Sequence, residues 1–316
     1  MIERTFALAP DVRRLTFPLP TRPGHVHAYL LRADDGWTLV DTGLALPDTA
    51  DTIRAAAAEL DGPIVRVLVT HMHPDHLGAA RPAAEVTGAP VLQGGLDYAQ
   101  TEHVWGNPEW PQRISAWFRS HGVPAEVADE LIEQGSVYAP FIRYQPDPQL
   151  VGDGDDVGGW RVVAMPGHAD GHLCLLRDGE LVAGDHLLDR ITPTVGLWPD
   201  SRPDPLGDYL ESLDRTVELG PRVVYPGHGE PIRDAAARAR ELVDHHVERL
   251  DAFATSLAPA PRSGFELSFD VFGDGLSSGA RRFAVAETLS HLERLRREGR
   301  AERLEQGGIV HWAAPG

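Results

Sequence analysis

The densest group of side chains capable of chemistry lies in residues 70–80, which read THMHPDHLGAA. His71, His73, Asp75 and His76 fall within six positions. Imidazoles and carboxylates bind divalent metals, whereas burying this many of them merely to pack a core would be unfavourable. A loop lets side chains at these spacings converge, which a single helix face does not. The stretch therefore predicts a metal site.

Three further candidates follow stretches that read as buried strands. They are His168 in MPGHADGH, Asp185 in LVAGDH and His228 in YPGHG. Each motif contains a glycine beside the candidate, which allows the backbone to turn the side chain inward. Loops at strand ends are where folds with helices and sheets commonly place functional residues. Four such loops in one chain are hard to explain as scattered core or surface histidines.

Together these loops supply five imidazoles and two carboxylates. A catalytic zinc ion needs only about three protein ligands, so this number predicts two ions that share a bridging ligand. A nitrogen and oxygen donor set without sulfur suits zinc first, with iron and manganese as alternatives.

The motif THMHPDHLGA resembles the HxHxDH signature of the metallo-β-lactamase superfamily, and the three later candidates match its remaining ligands in order. DTG at residues 41–43 matches a further motif, and the resemblance covers roughly residues 20–250. It implies a four-layer αββα sandwich with a dinuclear site at one edge of the sheets. It also implies one metal bound by His71, His73 and His168, a second bound by Asp75, His76 and His228, a bridging Asp185, and an Asp41 that holds the ligand loop.

The resemblance also implies a mechanism. Two divalent ions lower the pKa of a shared water, and the resulting bridging hydroxide attacks an electrophilic carbon or phosphorus. Asp185 is expected to hold both ions, and Asp75 to orient the nucleophile or relay its proton. His186 is expected to protonate the leaving group, unless its position next to Asp185 on an extended segment turns it away.

Differences between this chain and the motifs of particular branches narrow the choice of branch within the superfamily. Oxygen-reducing diiron members carry Glu where this chain has His73, true β-lactamases lack the equivalent of Asp185, and lactonases usually carry Tyr where this chain has Leu188. The pattern PGHADGH, GDH and PGHG is most similar to the glyoxalase II-like branch, which cleaves thioesters. We therefore expect hydrolysis of a small acyl thioester or ester. The alternatives are a phosphodiesterase or ribonuclease of the same superfamily, and a lactonase.

Periodic apolar stretches indicate the elements that must position these residues. Helices are expected at residues 48–60, 77–87, 205–219 and 231–253. Strands are expected at residues 25–33, 37–41, 64–70, 90–94, 160–166, 173–177, 180–185 and 222–229. Residues 95–150 contain several prolines and aromatics and predict a helical insertion. Trp117 and Tyr144 in this insertion, with Trp198, are expected to line a pocket for an acyl group, the alternative being a small core of the insertion itself.

The Pro- and Ser-containing stretch 256–264 reads as a linker. It divides a catalytic domain, residues 1–255, from a small C-terminal module, residues 256–316. Residues 280–312 resemble the winged-helix module found in some members of the superfamily. Residues 281–305 hold seven Arg and five Glu, which is typical of a solvated helix rather than a phosphate-binding face. Packing or homodimerisation is therefore the expected role of the module.

Composition limits the remaining classes. The chain has 316 residues, a formal net charge of −18 and only arginine among its 29 basic residues. Such acidity disfavours nucleic acid as a partner, and the absence of lysine argues against glutathione and excludes a Schiff base. Cys174 is the single cysteine, which excludes an intrachain disulfide and a thiolate cluster. The sequence shows neither a membrane-spanning run nor a secretory signal, so we expect a cytoplasmic enzyme acting on a small-molecule acyl substrate.

Overall fold

The computed structural model describes residues 5–258 and 260–316. Residues 1–4 of the N-terminal stretch and Pro259 of the predicted linker lie outside the described residues. The chain divides into two compact units. Unit 1 comprises the chain up to Trp105, Tyr138–Pro193 and Thr216–Arg238, and unit 2 comprises Gly106–Val137, Thr194–Arg215 and Ala239–Gly316. Each unit is thus built from three separate segments of the chain. The sequence predicted a single domain boundary near residue 255, and that boundary stays a prediction.

The first sheet of unit 1 has seven strands, hydrogen-bonded in chain order. They are β1 (Thr5–Ala9), β2 (Val12–Pro18), β3 (His25–Ala33), β4 (Gly36–Val40), β5 (Ile64–Val69), β6 (Val91–Gly94) and β7 (Gln149–Val151). Pairing is antiparallel from β1 to β4 and parallel from β4 to β7. The sequence predicted β3 to β6, but it did not predict β1, β2 or β7. The strands β1 and β7 are only five and three residues long, and β2 contains two arginines and ends in a proline, which obscures its apolar alternation.

The second sheet has five strands in the order β12-β11-β10-β9-β8. The strands β11 and β12 are parallel, and the other pairs are antiparallel. The bounds are β8 (Asp156–Val157), β9 (Trp160–Ala164), β10 (Leu173–Arg177), β11 (Glu180–Gly184) and β12 (Val223–Pro226).

One core of unit 1 lies between the two sheets. Tyr29 and Leu31 of β3 pack there with Trp160 and Val182 of the second sheet. Leu30 points the other way, because successive side chains of a strand alternate between its faces. The helices formed by Thr49–Ala58 and Ala80–Thr87 cover that opposite face, and Leu30 belongs to the second apolar core, which lies beneath them. Both faces of β3 are therefore buried, which explains the uninterrupted apolar run from Ala28 to Leu31.

The helices of unit 1 pack around this first sheet and lead into the site. They are α1 (Thr49–Ala58), α2 (Pro74–Leu77), α3 (Ala80–Thr87) and α4 (Gly95–Val104). Residues 77–87 were predicted as one helix, but the structure has α2 and α3 in this region. Pro74 begins α2, where its missing N–H is not needed and its fixed φ suits the first helical position. The metal-binding motif thus continues directly into a helical turn.

Unit 2 is mainly helical. Its elements are α5 (Trp110–Ser120), α6 (Ala125–Ser136), α9 (Gly264–Phe272), α10 (Ser278–Arg297) and a sheet of order β13-β15-β14, formed by Arg262–Ser263, Ile309–Ala313 and Glu302–Gln306. The helices α7 (Pro205–Leu219) and α8 (Ala235–Ser256) each contribute residues to both units. Leu289, Leu292 and Leu295 form the apolar stripe expected on α10, and all three are fully buried. Within the described ranges, no helix is long and apolar enough to cross a membrane.

Candidate metal centre

The predicted ligands of unit 1 lie beyond the carboxyl ends of neighbouring strands. The strand β5 leads to His71, β9 leads to His168, β11 ends directly before Asp185, and β12 leads to His228. In the second sheet β9 and β11 are both antiparallel to β10, and β12 is parallel to β11, so these three ends emerge at one edge of that sheet. The distances below place the end of β5 beside them. The order of the strands therefore brings together residues that are more than 150 positions apart along the chain.

The first ligand group consists of three imidazoles. His73 Nδ1 lies 3.1 Å from His71 Nε2 and 2.8 Å from His168 Nε2. Nitrogens bound to one tetrahedral zinc at about 2.0–2.1 Å lie roughly 3.4 Å apart, close to these separations. His71 Nδ1 lies 3.0 Å from Thr70 Oγ1, a contact that leaves Nε2 facing the other two rings.

The second ligand group is formed by Asp75, His76 and His228, each of which offers one ligand atom within 4.8 Å of the others. Asp185 touches both groups. Its Oδ1 lies 3.3 Å from His76 Nε2, and its Oδ2 lies 3.3 Å from His228 Nε2 and 3.7 Å from His168 Nε2. The structure thus brings all seven predicted side chains together in the grouping that the resemblance implied.

Two atoms at the centre of this cluster test whether a cation fits. His76 Nε2 and Asp185 Oδ1 are buried and lie 3.3 Å from each other, but neither makes a well-aligned hydrogen bond within the described part of the chain. A buried polar atom without a partner costs about 1–3 kcal/mol, and a metal ion bound to both would satisfy them. The donor set contains nitrogen and oxygen without sulfur, which suits zinc, iron or manganese. The residues therefore fit a divalent metal.

The pKa shifts agree with this assignment. Burial disfavours a charge on His76, but the carboxylates of Asp185, Asp41 and Asp75 raise its pKa well above the usual range. Burial is also outweighed at His228, where Asp185 and Asp75 raise the pKa to about 10. Burial and neighbouring imidazoles lower the pKa of His73 to about 3. One side of the cluster thus attracts positive charge, and the other presents neutral nitrogens to it.

Asp41 orients His76 and the loop that carries the ligands. Its carboxylate accepts hydrogen bonds from Thr70 N at 2.8 Å and from Thr70 Oγ1 at 2.9 Å. His76 Nδ1 lies 2.7 Å from Asp41 Oδ2 and donates to it, which leaves Nε2 directed at Asp185. Asp41 itself has a φ of 63°, a left-handed conformation that Asp and Asn tolerate better than most residues.

The loop that carries His228 is held by equally specific contacts. His228 Nδ1 donates to the carbonyl oxygen of His25 at 2.7 Å, so its Nε2 faces Asp75 and Asp185. Gly227 is required here, because a Cβ at this position would lie 2.4 Å from Asp185 Oδ1. The PGHG motif therefore serves close packing as well as a turn.

Sequence reasoning missed two residues that support the site. His172 stacks on His71 with ring centroids 4.8 Å apart, and its Nε2 accepts a hydrogen bond from Asp185 N at 3.2 Å. Asp97 accepts one from Met72 N at 2.9 Å, and burial raises the pKa of its carboxyl group to about 8. The second histidine of MPGHADGH was a visible signal for His172. Asp97 lies in the first turn of α4, where acidic residues are common, so nothing in its local sequence singled it out.

The structure gives His186 a different environment from the one that a proton donor needs. Its ring is fully buried, and Nε2 lies 2.7 Å from Thr216 Oγ1. Burial lowers its pKa to about 3, so the ring is neutral at neutral pH. These contacts match the expectation that the ring turns away, and they do not support a role for His186 in protonating a leaving group.

The aromatic residues of the predicted insertion divide between the two units. Tyr144 packs against the core beneath α1 and α3 in unit 1. Trp117 stacks on Trp198 in unit 2, with ring centroids 5.9 Å apart, and also contacts Phe118 and His121. Each set packs within its own unit, and the acyl-binding role that the sequence suggested for these aromatics stays a prediction.

Comparison with known proteins agrees with this geometry. Residues 21–228 match the model of the metallo-beta-lactamase superfamily, and residues 250–314 match one described as metallo-beta-lactamase-like, C-terminal domain. The chain is 29% identical to "Probable metallo-hydrolase YqjP" of Bacillus subtilis (strain 168), over 96% of this chain and 97% of that protein. It is 26% identical to "Atrochrysone carboxyl ACP thioesterase" of Aspergillus fumigatus, over 97% of this chain and 88% of that protein.

Solved structures give the same result. A metallo-beta-lactamase family protein from Thermus thermophilus is 36% identical with a TM-score of 0.83, over 98% of this chain and 100% of that one. A beta-lactamase domain protein from Burkholderia ambifaria is 30% identical with a TM-score of 0.86, and the match covers 98% of this chain and 94% of that one. The chain belongs to the metallo-β-lactamase superfamily and is a metallo-hydrolase of that class. The predicted α/β fold class is confirmed.

Asp41→Asn should weaken metal binding about 10–100-fold, because residues that orient metal ligands typically contribute that much. In the variant an NH₂ group takes the place of one carboxylate oxygen, so a donor faces the N–H and O–H donors of Thr70 and His76. Asp178→Asn is the matched control, since Asp178 also has a left-handed φ, of 48°, and lies in a turn between β10 and β11. The measurement is competition for zinc against a chelator. Equal affinity of both variants and the wild type would contradict the role given to Asp41.

The metal-free protein should become less stable as the pH rises from about 7 to about 9.5. His76 and His228 have pKa values raised by folding, to about 10 for His228. A group whose pKa is raised by folding contributes its full stabilisation at pH values below its unfolded pKa, which is about 6.5 for histidine. That contribution is lost as the pH rises through the pKa of the group in the folded state. Asp97, with a pKa of about 8, acts in the same direction.

The measurement is the free energy of unfolding in urea after chelator treatment, at both pH values. Zinc should remove most of the dependence, because metal binding replaces the protons on the ligand histidines. Constant or rising stability of the metal-free protein over this range would show that the carboxylates do not hold protons on His76 and His228.

Proposed function

We propose that the chain hydrolyses a small acyl thioester or ester with two divalent metal ions, zinc in the first instance, held by the seven side chains. The observation that carries the proposal is the position of Asp185, which lies within 3.7 Å of histidines from both ligand groups. When bound, the ions would activate water and polarise the carbonyl of the substrate.

The residues of the chain supply the remaining requirements. Asp185 fixes the two ligand groups relative to each other, and its backbone N–H is tied to His172. Asp75 is the most exposed of the carboxylates in the cluster, with 23% of its side chain accessible, so it is suited to orient the attacking water and take its proton. His73 is also partly exposed, and together with Asp75 it leaves the cluster open to a substrate. A purely structural metal site would be closed to solvent.

The choice of a thioester or ester rests on three considerations. The chain is similar over most of its length to a protein named as a carboxyl ACP thioesterase. Its motifs are most similar to the glyoxalase II-like, thioester-cleaving branch. Its net charge of −18 disfavours long polyanions, whose binding depends on phosphate contacts.

We further propose that the C-terminal module is winged-helix-like and does not bind nucleic acid. The helices α9 and α10 and the sheet β13-β15-β14 supply the required elements. The arginines at the C-terminal end of α10 are paired with carboxylates, since Arg296 and Arg297 contact Glu293, and Arg294 contacts Asp204 and Glu298. Paired arginines have little charge left for phosphates.

Asp185→Asn should lower kcat/KM by more than about 100-fold while preserving the fold. Removing a single preorganised electrostatic contact from an active site typically costs about 10²–10³ in rate, and Asp185 is proposed to hold both ions. The substitution keeps the shape but removes the negative charge shared by the two ligand groups. Asp34→Asn, in the exposed turn between β3 and β4, is the control and should keep wild-type activity. Wild-type turnover by a fully metallated Asp185→Asn variant would exclude Asp185 as the bridge.

The substrate class is tested by a panel of an acyl-CoA, an acyl-glutathione, an aryl ester, a lactone, bis(p-nitrophenyl) phosphate and a structured RNA. We expect turnover of a thioester or ester and none of the phosphodiester or RNA. Each activity should disappear on chelation and in Asp185→Asn. Metal-dependent RNA cleavage without ester or thioester turnover would favour the ribonuclease alternative instead.

A further inference from the structure

Unit 2 contains a second group of metal-ligand side chains, on α8 and α10. One ring nitrogen of His245, one of His246 and one carboxylate oxygen of Glu287 lie within 4.8 Å of one another. His246 and Glu287 are buried and His245 is half-buried. The group shares no residue with the centre described above, and nothing in the proposed reaction uses it.

The hydrogen bonds around His246 fix the position of its proton. His291 Nδ1 lies 2.7 Å from the carbonyl oxygen of Glu287, so this nitrogen carries the proton and donates. In a neutral ring, His291 Nε2 is then an acceptor, and it lies 3.2 Å from His246 Nδ1. His246 Nδ1 must therefore donate to it, which leaves a lone pair on His246 Nε2. Burial lowers the pKa of His246 to about 2 and that of His291 to about 3, so both rings are neutral.

The lone pair of His246 has no donor to accept from. His246 is fully buried, and its Nε2 makes no hydrogen bond to any residue in the ranges that the structure describes. An acceptor withdrawn from water in this way is stabilised only by a proton donor or by a Lewis acid. A cation shared with His245 and Glu287 would meet that need.

The surrounding contacts are those that orient metal ligands. A histidine bound to a metal commonly donates its other ring N–H to an acceptor, as His246 does to His291. A ligating carboxylate is commonly hydrogen-bonded as well, and Arg249 Nη1 lies 2.5 Å from Glu287 Oε1. Two imidazoles and a glutamate form a known zinc donor set, in which water completes the tetrahedron.

We propose that His245, His246 and Glu287 bind one divalent transition-metal ion, zinc by preference, which links α8 to α10 within unit 2. The two nitrogen ligands favour zinc, cobalt or nickel over magnesium or calcium. No part of the proposed reaction takes place on these residues.

The test compares the zinc content of the wild type with that of His245→Gln and His246→Gln after chelation, reloading and desalting. His311→Gln is the control, because His311 is half-buried in unit 2 on β15, where its Nδ1 lies 3.1 Å from the carbonyl oxygen of Ile309. We expect each cluster variant to bind one zinc fewer per chain than the wild type and the control. The difference does not depend on how many ions the centre in unit 1 binds, and thioester or ester turnover should be unchanged.

Crystals of the zinc-loaded wild type give an independent measurement if His246→Gln does not fold. An anomalous peak at the zinc edge is expected among His245, His246 and Glu287. Equal zinc content in all four proteins, or no peak at this position with zinc in excess, would show that the cluster is a metal-free hydrogen-bond network and would overturn the proposal.

Discussion

The structure of unit 1 depends on one electrostatic constraint: Asp185, which is buried, and Asp75, which is partly exposed, are surrounded by imidazoles, and one oxygen of each lies 3.3 Å from His228 Nε2. Carboxylates in such a place require positive charge between or beside them. In the absence of metal, the carboxylates attract protons to His76 and His228, which raises the pKa values of both imidazoles. Bound metal ions would satisfy it more completely, because His71, His73 and His168 would also hold them through their ring nitrogens.

The fold meets this constraint by fixing three of the candidate ligands through a neighbour. Asp41 turns His76, the carbonyl of His25 turns His228, and His172 holds the backbone of Asp185. Gly227 allows the last loop to approach Asp185 closely. The two sheets therefore do more than bury apolar surface: their strand ends place these contacts with little freedom, which keeps the ligands in position before a metal binds.

The seven candidate ligands could be picked out from the sequence because each follows a β-rich stretch and lies in a short motif with glycine or proline. The structure brings these side chains together, and their role as metal ligands stays a prediction. Strands β3 to β6 were equally clear, since they are apolar and bounded by turns. The contribution of Asp97 could not be predicted, because its partner, Met72 N, lies 25 positions earlier in a different loop. The division of Trp117 and Tyr144 between two units was also beyond local patterns, since it depends on long-range packing. The split of residues 77–87 into a turn and α3 was missed because the Pro74 start signal lies inside the metal motif.

The most direct test of the account is a crystal structure of the gently purified protein with anomalous scattering measured at the edges of zinc, iron and manganese. We expect two metal ions in unit 1, one bound by His71, His73 and His168 and the other by Asp75, His76 and His228, with Asp185 contacting both. The central claim is that a shared carboxylate joins the two ligand groups into one catalytic site. It would be contradicted if fully active protein held a single ion in unit 1, or two ions there of which only one contacts Asp185.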